Sequence, residues 1–234
     1  MSLQQSPAVR AAAPTRSRVA AGIRADISDG TLPPGSKISE RDICETYDVS
    51  RTVVRETIRQ LEAEGFVTVK PNVGAVVAEI TYADAQSLFE IRGALESLAC
   101  SLFAQRGSLA NKHRLVETIK VIERAMDGGS LEEILAAKDD FYDALFEGAG
   151  NPELTATLQL LHARIQLLRR YSLSAKGRNE YSLNEIKEIV RAIVAGDAEG
   201  ARLAGVHHVA QASYAALPRI FETTSAHSPD AATS

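Results

Sequence analysis

The stretch from Ser50 to Gly65, SRTVVRETIRQLEAEG, constrains this chain more than any other. Val54, Ile58 and Leu61 fall at helical spacing and form one apolar stripe that has to be buried. Ser50 is placed to cap the helix, its hydroxyl accepting from a first-turn amide. Gly65 ends it, where a left-handed residue carries no steric cost. Arg51, Arg55 and Arg59 recur every fourth residue and share a second face, with Thr52 beside them at the N-terminal end. A helix that buries one side and offers Arg and Thr from its first turns suits the DNA major groove, where guanidinium groups bond guanine edges or phosphates. Taken alone, the stretch fits a solvated basic face paired with Glu56, Glu62 and Glu64 better. Its neighbours reverse that preference.

Upstream, Ser39-Glu40-Arg41-Asp42 sets a hydroxyl residue three positions before an acid, the spacing of a capping box. A short helix follows through Ile43, Cys44 and Tyr47, and Asp48-Val49 turns the chain into Ser50. The order is helix, tight turn, arginine-bearing helix. After Gly65, Phe66-Val67-Thr68-Val69 alternates as a strand, Lys70-Pro71-Asn72-Val73-Gly74 turns, and Ala75-Val76-Val77-Ala78 returns. A hairpin in that place is the wing of a winged helix-turn-helix. A first helix from Ser17 to Ser28, ended by Asp29-Gly30, buries Val19, Ile23 and Ile27 against the other two. Leu32-Pro33-Pro34-Gly35 reads as a rigid turn.

The block from Arg18 to Ala78 resembles the GntR family of bacterial transcription regulators. Leu32-Pro33-Pro34-Gly35-Ser36-Lys37-Ile38-Ser39-Glu40, Val49-Ser50-Arg51-Thr52, Val54-Arg55-Glu56 and Leu61-Glu62-Ala63-Glu64-Gly65 carry the resemblance in one contiguous run. Val53 departs from the family, which has proline there, and Val73 stands in the wing where a basic residue is common. By this resemblance the DNA-contacting positions are Arg41, Ser50, Arg51, Thr52, Arg55 and the wing around Gly74. Their chemistry agrees, since Arg41 can reach a phosphate, Arg51 and Arg55 can reach base edges, and Gly74 permits close backbone approach. Gly74 also reads simply as a turn glycine.

Bulk charge does not announce a nucleic-acid partner, because the net charge over 234 residues is −4. The positive field has to be local, as the arginine clustering allows. Cys44 and Cys100 both sit in apolar helical contexts and read as free thiols of a reducing cytoplasm. No apolar run approaches the ~18 residues of a membrane span. The acid-free start and the small, polar end read as a disordered arm over residues 1–15 and a disordered tail over residues 222–234.

From Asp84 to about Phe221 the strand signals vanish and helical periodicity takes over. The first apolar stripe runs through Leu88, Ile91, Leu95 and Leu98, the second through Leu115, Ile119 and Ile122, and the third through Ile134, Phe141 and Leu145. Leu158, Leu161, Ile165 and Leu168 mark a fourth; Ile186, Ile189 and Ile193 a fifth; Ala201, Val206, Val209 and Ala212 a last helix closing around Pro218. Ser130 and Asn151-Pro152 are start signals, and a loop spans Ser174 to Arg178. Six antiparallel helices make a bundle large enough to enclose a pocket. This half resembles the FadR-type ligand-binding domain, FCD. The residues that carry it are Leu88-Phe89-Glu90-Ile91-Arg92 with Leu95-Glu96, Phe141 with Ala149-Gly150-Asn151-Pro152, and Asp197 with Ala201.

Many FCD domains hold a divalent metal on one Asp and three His. Aligned on Phe141 and Asp197, those four positions are Lys138, Tyr142, Ile186 and His208. A lysine, a phenol and an isoleucine cannot replace carboxylate and imidazole ligands, so no metal cofactor is expected. The same positions imply an effector site in which Lys138, Tyr142 and His208 hold an organic acid by charge and hydrogen bonds. Arg92 is a further anion partner, and fits equally a salt bridge to Glu96 four residues on. Arg164, Arg169 and Arg170 read as solvated or at a subunit interface.

The expected fold is mainly α: a winged helix-turn-helix with a small β-hairpin wing over residues 16–79, then an all-helical effector-binding and dimerisation domain over residues 84–221. The expected function is that of a cytoplasmic homodimeric transcription regulator of the FadR subfamily. It binds a palindromic operator in double-stranded DNA, represses in the family's usual direction, and responds to a small carboxylate. Two other readings compete. One is a winged helix used for protein contact, with the bundle as dimerisation scaffold; Arg51, Thr52 and Arg55 at the helix start argue against it. The other is an enzyme in the bundle, which lacks a Gly-rich phosphate loop, a nucleophile elbow and a metal triad.

Overall fold

The computed structural model describes residues 7–28, 31–63 and 65–226, and the chain divides at Glu79 into two compact units. In the first unit, α1 (Pro7–Ser28), α2 (Glu40–Tyr47) and α3 (Arg51–Ala63) precede the antiparallel strands β1 (Val67–Lys70) and β2 (Gly74–Val77). α1 and α2 both pack on α3. Val54, Ile58 and Leu61 are buried with Val19, Ile23, Ile43, Val67 and Val77 in one core. The caps act as their side chains dictate. Ser39 Oγ accepts from the Asp42 amide at 3.2 Å, Ser50 Oγ from the Val53 amide at 3.4 Å, and Gly65 leaves α3 at φ +75°. Strand register runs from Val67 opposite Val77 to Lys70 opposite Gly74.

Two features of this unit differ from the sequence reading. α1 begins at Pro7 rather than Ser17, since Ala11 to Ala13 are strong helix formers that carry no apolar periodicity. Lys37 also forms an antiparallel bridge to Val76, and the Ile38 amide donates to the Ala75 carbonyl at 2.8 Å, so the segment after the proline turn pairs with the free side of β2. Asp29-Gly30, Glu64, the first six residues of the expected arm and residues 227–234 of the expected tail lie outside the described residues.

Among the described residues the second unit holds six helices: α4 (Tyr82–Arg106), α5 (Leu109–Met126), α6 (Leu131–Ala149), α7 (Pro152–Leu173), α8 (Arg178–Ala195) and α9 (Ala198–Ala226). Ser130 and Glu133 close a reciprocal capping box on α6, and Asn151 caps α7 with Pro152 at its first position. α4 runs against α9 and also touches α6, α7 and α8. Its buried face differs from the expected one: Ile91 and Leu98 are 47% and 43% exposed, while Leu88, Phe89, Arg92, Glu96, Cys100 and Phe103 point inward. Two charged residues occupy inward positions, so a face phased on apolar residues alone comes out rotated. Val206 of α9 is likewise exposed. α9 continues through Pro218, because Ala216 and Ile220 on either side of it are fully buried and hold the chain in place. Among the described residues no helix is long and apolar enough to cross a membrane, and both cysteines are free thiols.

α4 and α6 cross at Gly148, where an added Cβ falls 2.2 Å from the ring of the fully buried Phe103. Gly148→Ala is therefore expected to lower unfolding free energy by about 1–3 kcal/mol, outweighing a helix-propensity gain of at most about 1 kcal/mol. Gly93→Ala, whose Cβ meets nothing nearer than Val209 at 3.8 Å, should be neutral or stabilising, and urea titration of the two variants checks both outcomes.

Candidate functional site

Two clusters of charge stand out, one in each unit. In the first unit Arg51, Thr52, Arg55 and Arg59 are exposed on α3. The first turn of α3 contains no acid, although the positive end of a helix favours one. Basic residues there work against helix stability, which fits a face kept for a polyanion. Arg55 Nε bonds Glu40 at 3.2 Å and Arg41 Nε bonds Glu45 at 2.8 Å, both across exposed surface where a phosphate can replace the carboxylate. Ser50 lies at the same end as the α3 cap. Gly74 opens β2 at φ +94°, next to the exposed Val73. Arg41, Ser50, Arg51, Thr52 and Arg55 therefore all belong to α2, α3 and the turn between them, and Gly74 to the hairpin.

The second cluster is buried in the helical bundle. Arg92 on α4 donates from Nε to Glu96 at 2.7 Å and from Nη2 to the Tyr142 hydroxyl at 3.2 Å. That hydroxyl lies 3.0 Å from His208 Nε2, and His208 Nδ1 lies 2.7 Å from Glu185. Arg178 grips Glu185 with two bonds of 2.9 and 2.7 Å. Arg169 stacks on the Tyr142 ring at 3.5 Å, bonds Asp139 at 3.1 Å and approaches Glu96 at 3.7 Å. Lys138 Nζ donates to the Ser182 hydroxyl. Arg92, Tyr142 and His208, which the sequence gathers only through the alignment, thus meet in one hydrogen-bonded chain drawn from α4, α6 and α9, and Lys138 lies close enough to act on Arg92 and His208 through its charge.

One proton arrangement satisfies the chain of bonds. Arg92 donates to the Tyr142 oxygen, the Tyr142 hydroxyl donates to His208 Nε2, and His208 Nδ1–H donates to Glu185. It requires neutral His208. Burial holds His208 down to about 4 against the pull of Glu185, with Lys138 and Arg92 pushing the same way as burial. Burial, with Arg169, Arg178 and Arg92 nearby, also brings Lys138 down to about 7. Glu96 moves the other way: burial opposes ionisation, but Arg92 and Arg169 outweigh it and hold its carboxyl low. Burial and the nearby Glu96 raise the Tyr142 hydroxyl to about 12, so it stays a donor.

The three arginines are matched in number by Glu96, Glu185 and Asp139, and Lys138, brought down to about 7, adds part of a positive charge at neutral pH. Arg92, Arg169, Arg178 and Lys138 face Glu96 and Glu185, with Asp139 at the partly exposed edge. Arg92 Nη1, Arg169 Nε and Arg178 Nε are buried donors without a hydrogen-bond partner among the described residues. The set does not suit a divalent cation. His208 is engaged on both nitrogens, Lys138 adds positive charge, and Ile186 is a buried hydrocarbon. An anion suits it better.

Sequence reasoning missed part of the network. Arg169, read as solvated or at a subunit interface, is buried within the bundle; its place four residues after Ile165 on the inner stripe of α7 was the available signal. Arg178 and Glu185 are seven apart on α8, two turns on one face, and Ser182 lies between them. Arg164 is exposed, and Arg170 pairs with Glu132 at 2.6 Å.

Residues 15–77 match the family described as bacterial regulatory proteins, gntR family, and residues 87–211 match the FCD domain. A relative from Paenarthrobacter nicotinovorans, named "Probable D-xylose utilization operon transcriptional repressor", is 30% identical over 208 residues, covering 84% of this chain and 88% of its own. The "HTH-type transcriptional repressor RspR" of Escherichia coli K12 is 24% identical over 191 residues, 82% of this chain and 84% of its own. Among solved structures, E. coli McbR/YncC shares the fold with a TM-score of 0.67 at 22% identity, over 90% of this chain and 98% of that one.

The neutral His208 has a measurable consequence. Below its ordinary value of 6.5 the unfolded chain takes up a proton that the folded chain refuses until about pH 4, so stability falls as pH drops through that window. Between pH 7 and pH 5 the wild type should lose about 2 kcal/mol more unfolding free energy than His208→Gln, which keeps a donor and an acceptor but does not titrate. Urea midpoints at the two pH values check this.

Proposed function

The chain belongs to the GntR family of bacterial regulatory proteins, with an FCD domain behind its winged helix, and we propose that it represses transcription by holding a palindromic operator until a small carboxylate binds within the helical bundle. The family makes it a DNA-binding transcriptional regulator and not an enzyme. The unpartnered guanidinium nitrogens of Arg92, Arg169 and Arg178, with Lys138 close by, support the effector reading. A buried donor left without a partner is costly, and an organic acid accepts from these nitrogens while its charge favours protonated Lys138. Lys138, Tyr142, Arg92 and His208 are the groups that hold it.

At the DNA, Arg51 and Arg55 reach base edges from the start of α3, Arg41 and Ser50 position the backbone, Thr52 lies between, and Gly74 brings the wing close to phosphate. A homodimer in the cytoplasm presents two such faces to the two halves of the operator. The ligand releases the operator only by binding the two dimer conformations unequally.

Fluorescence anisotropy on duplexes from the protein's own upstream region tests the DNA half. Arg51→Ala and Arg55→Ala should each weaken specific binding about tenfold or more, corresponding to about 1–3 kcal/mol, while the protein still folds. Wild-type affinity should fall steeply with salt. Unchanged affinity in both variants, or no preferred duplex, favours the protein-contact reading of the winged helix. For the bundle, a thermal-shift screen of small carboxylates should give ligands that stabilise the wild type and not Lys138→Met. Equal stabilisation of both proteins removes Lys138 from the site.

A further inference from the structure

We propose that Glu185 is a built-in stand-in for a ligand carboxylate, and that a hydroxylated carboxylate entering the groove between α8 and α9 displaces it from Arg178. The proposal rests on the reading of the bundle as an anion site, and adds to it a way in, a competing internal group and a narrower ligand class. The groove has a volume of about 780 Å³, and both Arg178 and Glu185 line it. They are the members of the buried network that line the groove, and His208 and Tyr142 continue it inward. The Arg178–Glu185 contact therefore separates the groove from the cations behind it.

Arg178 binds Glu185 as a guanidinium fork binds any carboxylate, through two bonds of 2.9 and 2.7 Å. Its side chain is 7% exposed, and its Nε is buried without a hydrogen-bond partner among the described residues. A carboxylate offered from the groove takes the same fork. The exchange keeps the local charge balance while Glu185 swings into the groove, where water solvates it. Glu185 also accepts from His208 Nδ1, so its departure frees His208 and, through Tyr142, reaches Arg92 on α4. Occupancy of the groove is thereby felt at the centre of the bundle.

The rest of the lining points to hydroxyl groups on the ligand. Tyr181 and Tyr214 are 70% and 74% exposed and offer ring faces and phenolic oxygens. His207 and Gln211 add a ring nitrogen and an amide, and neither makes a side-chain hydrogen bond among the described residues. Aromatic faces for C–H edges beside planar polar groups suit a chain of hydroxylated carbons ending in a carboxylate.

Calorimetric titration with sodium L-threonate, and with threitol as its neutral twin, tests the proposal. Glu185→Gln should bind threonate at least tenfold more tightly than the wild type, because the internal competitor has lost its charge. Arg178→Gln should lose binding, and threitol should bind neither protein. Tyr181→Ala, at an exposed position that leaves the core intact, should weaken binding several-fold in the Glu185→Gln background. Equal threonate affinity in wild type and Glu185→Gln, binding that survives Arg178→Gln, or no threonate binding to any variant overturns the proposal. A carboxylate from the thermal-shift screen that needs Lys138 but not Arg178 overturns it too, while leaving the bundle site standing.

Discussion

Charge enclosed in a helical bundle has to be answered by charge, and in this chain the charges are met while several guanidinium donors are not. Arg92, Arg169, Arg178 and Lys138 are buried, with Glu96, the part-buried Glu185 and Asp139 at the edge as their counter-charges. Breaking a buried pair costs several kcal/mol because it strands the remaining charge. The network therefore fixes how α4, α6, α7, α8 and α9 pack. Apolar contacts alone allow neighbouring helices to slide or rotate at modest cost, whereas a bidentate Arg–Glu pair or a Tyr–His–Glu chain has one geometry. The same groups that specify the bundle are those that a negatively charged ligand can rearrange, which couples binding to packing.

The first unit shows the opposite economy. Its core is small and apolar, and its charges lie outside. α3 carries arginines at the helix end where the backbone dipole disfavours them. Stability there comes from Val54, Ile58 and Leu61, buried against α1 and α2, while the outer face is left to a partner of high negative charge. The weak, exposed ion pairs of Arg41 and Arg55 cost little to exchange.

Much of this was legible in the residues. The α3 stripe, the caps at Ser39, Ser50, Ser130 and Asn151, the hairpin and the six bundle helices all follow from local chemistry that tertiary contacts do not override. Where the reading failed, a nonlocal cause was at work. Arg92 and Glu96 satisfy each other inside the bundle, so the buried face of α4 includes polar positions that periodicity assigns to solvent, and Ile91 and Leu98 turn outward. Arg169 goes unrecognised for the same reason, since its partners Glu96, Asp139 and the Tyr142 ring lie on other helices. Pro218 ends no helix because buried neighbours on both sides outweigh its lost amide. The pairing of Lys37 with Val76 needs β2 already in place, and nothing local announces it.

The central claim is that the bundle is an anion site built around Lys138 and the unpartnered guanidinium nitrogens. Native mass spectrometry of the protein purified from its own host tests it most directly. The account predicts a bound organic acid on the wild type that is missing from Lys138→Met at equal folded content. A neutral adduct, a metal ion, or the same bare mass for both proteins would contradict it.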